Sequence, residues 1–292
     1  MIKIIESPRE AMQGIVPFIP TEKKVQYINA LLKVGFDTVE IGSLVSLKAI
    51  PQMSDTLKVL ESMGMTETRS KKMVLVVNPK GAQTAAVLGS VDSICFPFSL
   101  SPRFTELNLN STLEKQTETV IEISEICNRL KKEFIVYISM SFGNPYGDEW
   151  NIEILTGWVE KLKKIGVKTI PLSNVSVEID RTLIAEVFST LTKRFPEIEF
   201  GLHLHTTNAD WKEKVEAAYN NGCRRFDSVL HGMGGCPMTG KEMLGNLATE
   251  NLISFLENKN LIPVGFDHQA FADAGKLTSD IFKDNSKKSI LN

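Results

Sequence analysis

The sequence predicts an α/β fold in which eight parallel strands alternate with helices and close into one barrel. Short β-rich apolar runs alternate with longer helical patterns along the whole chain, as a parallel sheet with crossover helices requires. The length of 292 residues suits a single (β/α)8 TIM barrel, which takes about 250 residues. No G-x-G-x-x-G follows the first strand, which disfavours an open dinucleotide-binding sheet.

The predicted elements follow from hydrophobic periodicity and from the glycines that separate them. Gly35, Gly166 and Gly222 each follow a helical pattern and precede a strand, as helix-ending glycines do. We predict helices around Thr21–Lys33, Leu113–Lys131, Asn151–Ile165, Ile179–Arg194 and Asp210–Asn221. The predicted strands are Ile2–Ile5, Asp37–Ile41, Met73–Val77, Asp92–Phe96, Phe134–Ser141, Val167–Leu172, Ile198–His205 and Arg225–Val229.

The chain divides into a barrel and a shorter tail. We assign residues 1–261 to the catalytic barrel and residues 262–292 to a C-terminal extension. The extension looks less regular and ends in a polar stretch of Lys, Asp, Asn and Ser. We therefore expect a partly frayed tail.

Composition narrows the class of partner. The net charge is only −2, with 33 basic and 35 acidic residues, which gives no electrostatic reason to expect nucleic acid. No apolar run approaches the roughly 18 to 20 residues of a membrane span, and the N-terminal residues lack the layout of a signal peptide. Four cysteines are too few for a disulfide framework and suit a reducing cytoplasm.

The predicted seventh strand carries the strongest chemical signal. Its alternation points Ile198, Phe200, Leu202 and Leu204 towards the helices, so that His203 and His205 point into the barrel. Side chains at the carboxyl end of a barrel strand lie on the catalytic face. Two neutral imidazoles there are suited to a divalent metal, although neighbours at the barrel mouth would satisfy them equally well. The chain has only four histidines, which favours the metal.

Other polar residues follow the first and last strands or lie within the second. Closure of the barrel brings Glu10 towards the same ion, and places Arg9 over the anion that the ion binds. Asn246 offers an amide oxygen as a fourth ligand, and Cys236 in a glycine-rich loop is suited to proton transfer. Glu40 lies within an apolar strand, so we expect it to pair with Arg9.

Five motifs, in order, resemble the 3-hydroxy-3-methylglutaryl-CoA (HMG-CoA) lyase family of metal-dependent barrel enzymes. The resemblance extends to about residue 258. The motifs are Pro8-Arg9-Glu10-Ala11-Met12-Gln13, Val39-Glu40 with Ser43, Val45, Ser46, Lys48 and Pro51-Gln52-Met53, His203-Leu204-His205, Gly232-Met233-Gly234-Gly235-Cys236-Pro237, and Gly245-Asn246 with Thr249-Glu250.

The resemblance implies a lyase that cleaves HMG-CoA, or a close 3-hydroxyacyl-CoA, to acetoacetate and acetyl-CoA. It implies a homodimer with an acyl-CoA substrate. The implied metal is Mg²⁺ or Mn²⁺, while paired imidazoles would also accept Co²⁺ or Zn²⁺. The implied metal ligands are Glu10, His203, His205 and Asn246. The implied catalytic residues are Arg9, Glu40, His203 and Cys236, and the implied substrate-binding residues are Arg9, Gln13 and Asn174.

Two departures from the family pattern keep alternatives open. Glu10 stands where the family has aspartate, and Asn174 replaces the aspartate of S-x-D-T after strand six. An aldolase or acyl-CoA condensing enzyme that acts on another oxo or hydroxy acid is one alternative. A weakened paralogue with a binding role is another. The two-histidine, one-carboxylate set also resembles non-heme iron oxygenases, but their usual fold is all-β.

Overall fold

A computed structural model describes residues 1–46, 48, 50–63, 68–174, 179–234 and 245–286. Its centre is a closed barrel of eight parallel strands. The strands are β1 Lys3–Glu6, β2 Thr38–Leu44, β3 Lys71–Val76, β4 Ser93–Ser99, β5 Glu133–Ser139, β6 Thr169–Ser173, β7 Glu199–His203 and β9 Arg225–Ser228. The predicted fold class is confirmed, and each predicted strand overlaps an observed one.

Closure depends on the first strand, which pairs on both sides. Ile5 lies opposite Thr38 of β2 and opposite Asp227 of β9, and β9 pairs in turn with β7. The ends of β1, β9 and β7 therefore lie side by side. This arrangement confirms the expectation that residues after the first strand approach the seventh.

The helices surround the barrel, and their ends follow local sequence. Gly35 and Gly166 adopt left-handed conformations (φ 87° and 99°) directly after their helices, as predicted. The helices are α1 Pro8–Gln13, α2 Thr21–Val34, α3 Thr56–Ser62, α4 Pro79–Ala86, α5 Pro102–Leu109, α6 Leu113–Leu130, α7 Ile152–Ile165, α8 Arg181–Arg194, α9 Trp211–Asn220, α10 Thr249–Glu257 and α11 His268–Ser286, with 3₁₀ turns η1 Pro51–Met53 and η2 Leu230–Gly232.

The expectation of an irregular extension is wrong for α11. This helix packs against α2, with the ring of Phe282 5.8 Å from that of Tyr27. Ala274, Thr278 and Ile281 are buried and share one helical face. The polar residues between them face solvent and conceal this pattern in the sequence. The barrel–extension boundary after residue 261 stays a prediction.

The barrel interior is filled by side chains from several strands. Ile5, Met73, Cys95 and Ile135 form a small apolar cluster separate from the main core. Strands β1, β3, β4 and β5 meet there, so the cluster lies inside the barrel. Nearer β7, the buried Arg225 packs on Gly201, where an added Cβ would meet the arginine side chain at 3.0 Å.

The outward residues of β7 are buried beneath the helices, as predicted. A further antiparallel pair joins β8 (His205–Thr206) to β10 (Gly245–Asn246) at the carboxyl end of the barrel. Among the described helices, none combines the length and apolar composition needed to cross a membrane.

Candidate active site

The candidate residues come from four chain segments that meet at the carboxyl ends of the strands. Helix α1 begins two residues after β1, so Arg9 and Glu10 occupy its first turn. His203 ends β7, and His205 belongs to β8. Asn246 lies opposite His205 in the antiparallel pair, so backbone hydrogen bonding places these two candidate ligands next to each other.

The two histidines project side by side, as their spacing predicted. Their ring centroids are 5.1 Å apart, and both residues are buried. Burial, together with the neighbouring His203, lowers the pKa of His205 to about 4. His205 is therefore neutral near pH 7, which is the protonation state that binds metals.

His203 differs because a carboxylate contacts its ring. Nδ1 of His203 lies 3.0 Å from Oδ2 of Asp227. Burial favours the neutral ring, but the hydrogen bond and charge of Asp227 outweigh it and raise the pKa of His203. Sequence reasoning missed Asp227, although its place two residues after Arg225 in a strand predicts that both share the inward face.

Arg9 lies at the centre of a buried polar cluster. Its Nε and Nη2 donate to Oε1 of Glu40 at 3.0 and 2.8 Å, which confirms the predicted pair. Nη2 also lies 2.8 Å from Oε1 of Glu10. Gln13 bridges the two first-turn residues, because it accepts from Arg9 Nη1 at 2.9 Å and donates to Glu10 Oε2 at 2.8 Å.

Glu10 is held in its charged form by its neighbours. Burial alone would raise the pKa of this carboxyl group, but the positive charge of Arg9, followed by smaller contributions from His203 and His205 in their charged forms, outweighs burial and lowers the pKa. The charge of Arg9 therefore keeps Glu10 ionised in spite of its burial.

The amide of Asn174 binds backbone rather than projecting freely into the site. Its Oδ1 accepts from the N–H of His205 at 2.8 Å, and its Nδ2 donates to the carbonyl oxygen of His205 at 2.8 Å. Both polar atoms of the side chain thus hold the peptide of one candidate ligand. The predicted role of Asn174 in binding substrate stays a prediction, and this contact adds a role in holding His205.

Asn246 and the glycine-rich loop approach the cluster from the last strand. Asn246 Nδ2 donates to the carbonyl oxygen of Met233 at 2.7 Å, so the amide oxygen is the atom suited to a cation. Gly234 (φ +78°) packs so tightly that an added Cβ would lie 2.2 Å from the Glu10 carbonyl oxygen. Cys236, the predicted proton-transfer residue, lies outside the described residues.

A second buried carboxylate, Glu6, was also missed. It ends β1, where its Oε1 accepts from the N–H of Leu230 at 2.9 Å and its Oε2 from the hydroxyl of Thr249 at 2.6 Å. Burial raises the pKa of Glu6 to about 8. Glu6 thereby ties β1 to the turn η2 and to the start of α10. Its position at the end of a strand was the only sequence signal.

The candidate ligands are of the chemical types that bind divalent cations. Two imidazoles, a carboxylate and an amide oxygen are ligands for a borderline or hard divalent ion. The buried Nδ1 of His205 has no hydrogen-bond partner among the described residues, and a cation would satisfy such an atom. In that same part of the chain, no group of three or more His, Cys, Asp or Glu side chains is arranged to hold a metal. Binding would require Glu10 to exchange contacts with Arg9 and Gln13.

Comparisons with known proteins identify the family of this chain. The HMGL-like family model matches residues 2–278. The hydroxymethylglutaryl-CoA lyase YngG of Bacillus subtilis is 27% identical over 254 residues, which cover 87% of this chain and 84% of that protein. The (R)-citramalyl-CoA lyase of Chloroflexus aurantiacus is 28% identical over 285 residues, covering 94% and 88%.

A solved structure extends the similarity to the whole chain. The HMG-CoA lyase of Acinetobacter baumannii, in complex with coenzyme A and 3-methylmalate, superposes with a TM-score of 0.87 at 26% identity. The match covers 100% of this chain and 97% of that one. The chain therefore belongs to the HMGL-like family and is an enzyme of the carbon–carbon lyase type.

Proposed function

We propose that this protein is a metal-dependent lyase that cleaves HMG-CoA to acetoacetate and acetyl-CoA. The observation that carries the proposal is the meeting of Arg9, Glu10, His203, His205 and Asn246 at one end of the barrel. In the reaction, a base takes the proton of the 3-hydroxyl, the oxygen becomes the ketone carbonyl of acetoacetate, and the C2–C3 bond breaks. The bonding electrons remain on C2 as the thioester enolate, which takes up a proton to become acetyl-CoA.

Glu10, His203, His205 and Asn246 would hold the ion, with Mg²⁺ or Mn²⁺ as the proposed metals. When bound, such an ion supplies Lewis acidity that lowers the pKa of a coordinated hydroxyl group. The neutral His205 is ready for this role without first losing a proton.

Arg9 would stabilise the enolate oxygen. A guanidinium has five N–H donors, and the contacts to Glu40, Glu10 and Gln13 use four of them. These contacts leave one N–H on Nη1 to meet a developing oxyanion. A donor held in place before the charge forms is the main source of electrostatic catalysis. Glu40 supports this role because it fixes the guanidinium from the opposite side through two oxygens.

Gln13, Asn174 and Cys236 complete the proposed assignment. Gln13 would contact substrate while it orients Arg9 and Glu10, and Asn174 would do so while it holds His205. Cys236 would deliver the proton that ends on acetyl-CoA. The homodimer implied by the family resemblance and the cytoplasmic location expected from the composition also stay predictions.

A second candidate substrate is favoured by one relative. The (R)-citramalyl-CoA lyase is as similar to this chain as the HMG-CoA lyases are, at 28% identity. Citramalyl-CoA is also a 3-hydroxyacyl thioester, and its cleavage gives pyruvate and acetyl-CoA. Glu10 and Asn174 stand where the HMG-CoA lyase pattern has aspartate, so a change of acyl group is consistent with the altered pocket.

The test is an assay of purified protein with HMG-CoA and with (R)-citramalyl-CoA. Each substrate is supplied with Mg²⁺, Mn²⁺ or EDTA, and acetyl-CoA is measured together with acetoacetate or pyruvate. Metal-dependent acetoacetate supports the proposal. Pyruvate alone moves the assignment to the second candidate, and absence of both products refutes both candidates.

Two variants separate an effect on the proposed metal site from a general effect of replacing histidine. The double variant His203→Ala/His205→Ala should stay folded but lose metal binding and activity. His268→Ala is the matched control, because His268 is exposed at the start of α11 and pairs with Glu257 at the surface. Equal activity in the double variant and the control would refute the site assignment.

A further inference from the structure

Asp227 makes a hydrogen bond to one candidate ligand, His203. Strands β7 and β9 pair so that His203 lies directly opposite Asp227, and Oδ2 of the carboxylate is 3.0 Å from Nδ1 of the ring. The aspartate side chain is only 2% exposed. Its position is therefore set by backbone pairing between two central strands and not by a surface loop.

The buried cation on the same strand attracts this carboxylate without forming an ion pair with it. Arg225 shares the inward face of β9 with Asp227, yet no ion pair within 4.0 Å joins them. Nε and Nη2 of Arg225 and Oδ1 of Asp227 are buried, without hydrogen-bond partners among the described residues. In this part of the chain, the contact with His203 is the one hydrogen bond found for the Asp227 carboxylate.

A carboxylate at Nδ1 decides which ring nitrogen carries the proton. An ionised carboxylate can only accept a hydrogen bond, so the neutral imidazole beside it holds its proton on Nδ1. The lone pair is then on Nε2, the nitrogen that remains for a cation. Tyr137 packs against the same ring at 5.7 Å with an interplanar angle of 90°, which restricts its rotation.

We propose that Asp227 is a positioning residue that holds His203 as the Nδ1–H tautomer with Nε2 presented to the metal. The proposal rests on the metal site of the proposed function and assigns a residue outside the predicted set. Such carboxylate contacts orient imidazole ligands and increase their basicity, and their loss typically weakens metal binding by about 10- to 100-fold.

A purely structural role for Asp227 makes a different prediction. If the aspartate served only to fill the barrel, Asp227→Asn would lower stability but leave the ring proton and the metal affinity unchanged. The asparagine side chain has the same shape, but its amide can donate to Nδ1 as well as accept from it. Asp227→Asn should therefore allow both neutral tautomers of His203 while it preserves the packing of the side chain.

The experiment has two readouts, only one of which needs metal. Nitrogen-15 NMR of histidine-labelled, metal-free protein, at a pH high enough for the His203 ring to be neutral, reports which nitrogen of His203 is protonated. Electron paramagnetic resonance then measures Mn²⁺ affinity. We expect Nδ1–H in the wild type, a mixed tautomer in Asp227→Asn, and a loss of Mn²⁺ affinity of about 10- to 100-fold. Asp227→Glu, which keeps the carboxylate, should restore part of both.

The matched control is Asp210→Asn. Asp210 follows the histidines and accepts from Thr206, Thr207 and Lys214, so the variant removes a nearby carboxylate charge that touches no imidazole. It should retain the wild-type tautomer of His203. A mixed tautomer in this control would show that charge alone acts on the ring, and would overturn the proposal.

Two further outcomes have separate meanings. A wild-type His203 protonated on Nε2, or an Asp227→Asn variant with wild-type tautomer and affinity, refutes the positioning role, and the first needs no variant to fold. A wild-type protein that binds no Mn²⁺ refutes the metal site of the proposed function. The tautomer of the metal-free protein still decides whether Asp227 holds the ring.

Discussion

Replacement of Asn174 by aspartate tests whether the amide is required to hold His205. In the wild type, Nδ2 of Asn174 donates to the His205 carbonyl oxygen at 2.8 Å, and Oδ1 accepts from its N–H at the same distance. An ionised aspartate keeps the second bond and loses the first. A carboxylate oxygen would then face a carbonyl oxygen at a position that is 1% exposed.

The size of the effect follows from that geometry. A buried carbonyl left without its donor costs about 1–3 kcal/mol. Protonation of the new aspartate restores a donor, so the folded state raises the pKa of Asn174→Asp above the unfolded value of about 3.9. A raised carboxyl pKa means that stability is lost as the pH rises from about 4 through the folded pKa. The deficit should therefore be larger at pH 8 than at pH 5.

The assay is urea unfolding of metal-free protein in EDTA at pH 5 and pH 8, followed by circular dichroism. The matched control is Asn258→Asp, because Nδ2 of the exposed Asn258 also donates to a backbone carbonyl, that of Ser254, at 2.8 Å. The control should change stability little at either pH. If Asn174→Asp is as stable as the wild type at both, the amide is not needed as a donor.

Three other variants test separate contacts. Glu10→Asp should raise lyase activity because the family pattern has aspartate there, and a fall would show that the longer side chain is adapted to this site. Because burial raises the pKa of Glu6 from 4.5 to about 8, the wild type should lose stability as the pH rises through that range. Relative to the wild type, the free energy of unfolding of Glu6→Gln should then rise by about 1.4 kcal/mol per pH unit. A difference in stability between the two proteins that does not depend on pH would contradict the raised pKa. Gly234→Ala should weaken Mn²⁺ binding, because its Cβ would meet the Glu10 carbonyl oxygen at 2.2 Å. Gly14→Ala, with open space around the added Cβ, should bind like the wild type, and equal binding by both variants would refute the close approach.

The fold was predictable because its signals are local. Alternation with period two and helix-ending glycines are each visible within a dozen residues, and together they identified every barrel strand. The partnership of Arg9 and Glu40 was also predictable, since a charge within an apolar strand needs an opposite charge nearby. The phase of His203 and His205 followed from strand geometry in the same way.

The missed features depend on relations between distant segments. Asp227 faces inward by its own alternation, but its contact with His203 depends on the register of β9 against β7. The contact of Asn174 with the His205 peptide joins a side chain to the backbone of a residue 31 positions away. No pattern in the sequence predicts such a distance. Helix α11 was missed for a local reason, because its apolar residues are interspersed with many charged ones.

The hydrogen bond between Asn246 and Met233 joins the two ends of the segment that contains Cys236. The barrel already holds these ends together. The barrel, and not the segment, therefore bears the entropic cost of bringing the two ends together. Lengthening a connection whose ends are held in this way costs only about 0.6 kcal/mol for each doubling. The segment can therefore vary in length while His205 and Asn246 stay opposite each other in the antiparallel pair.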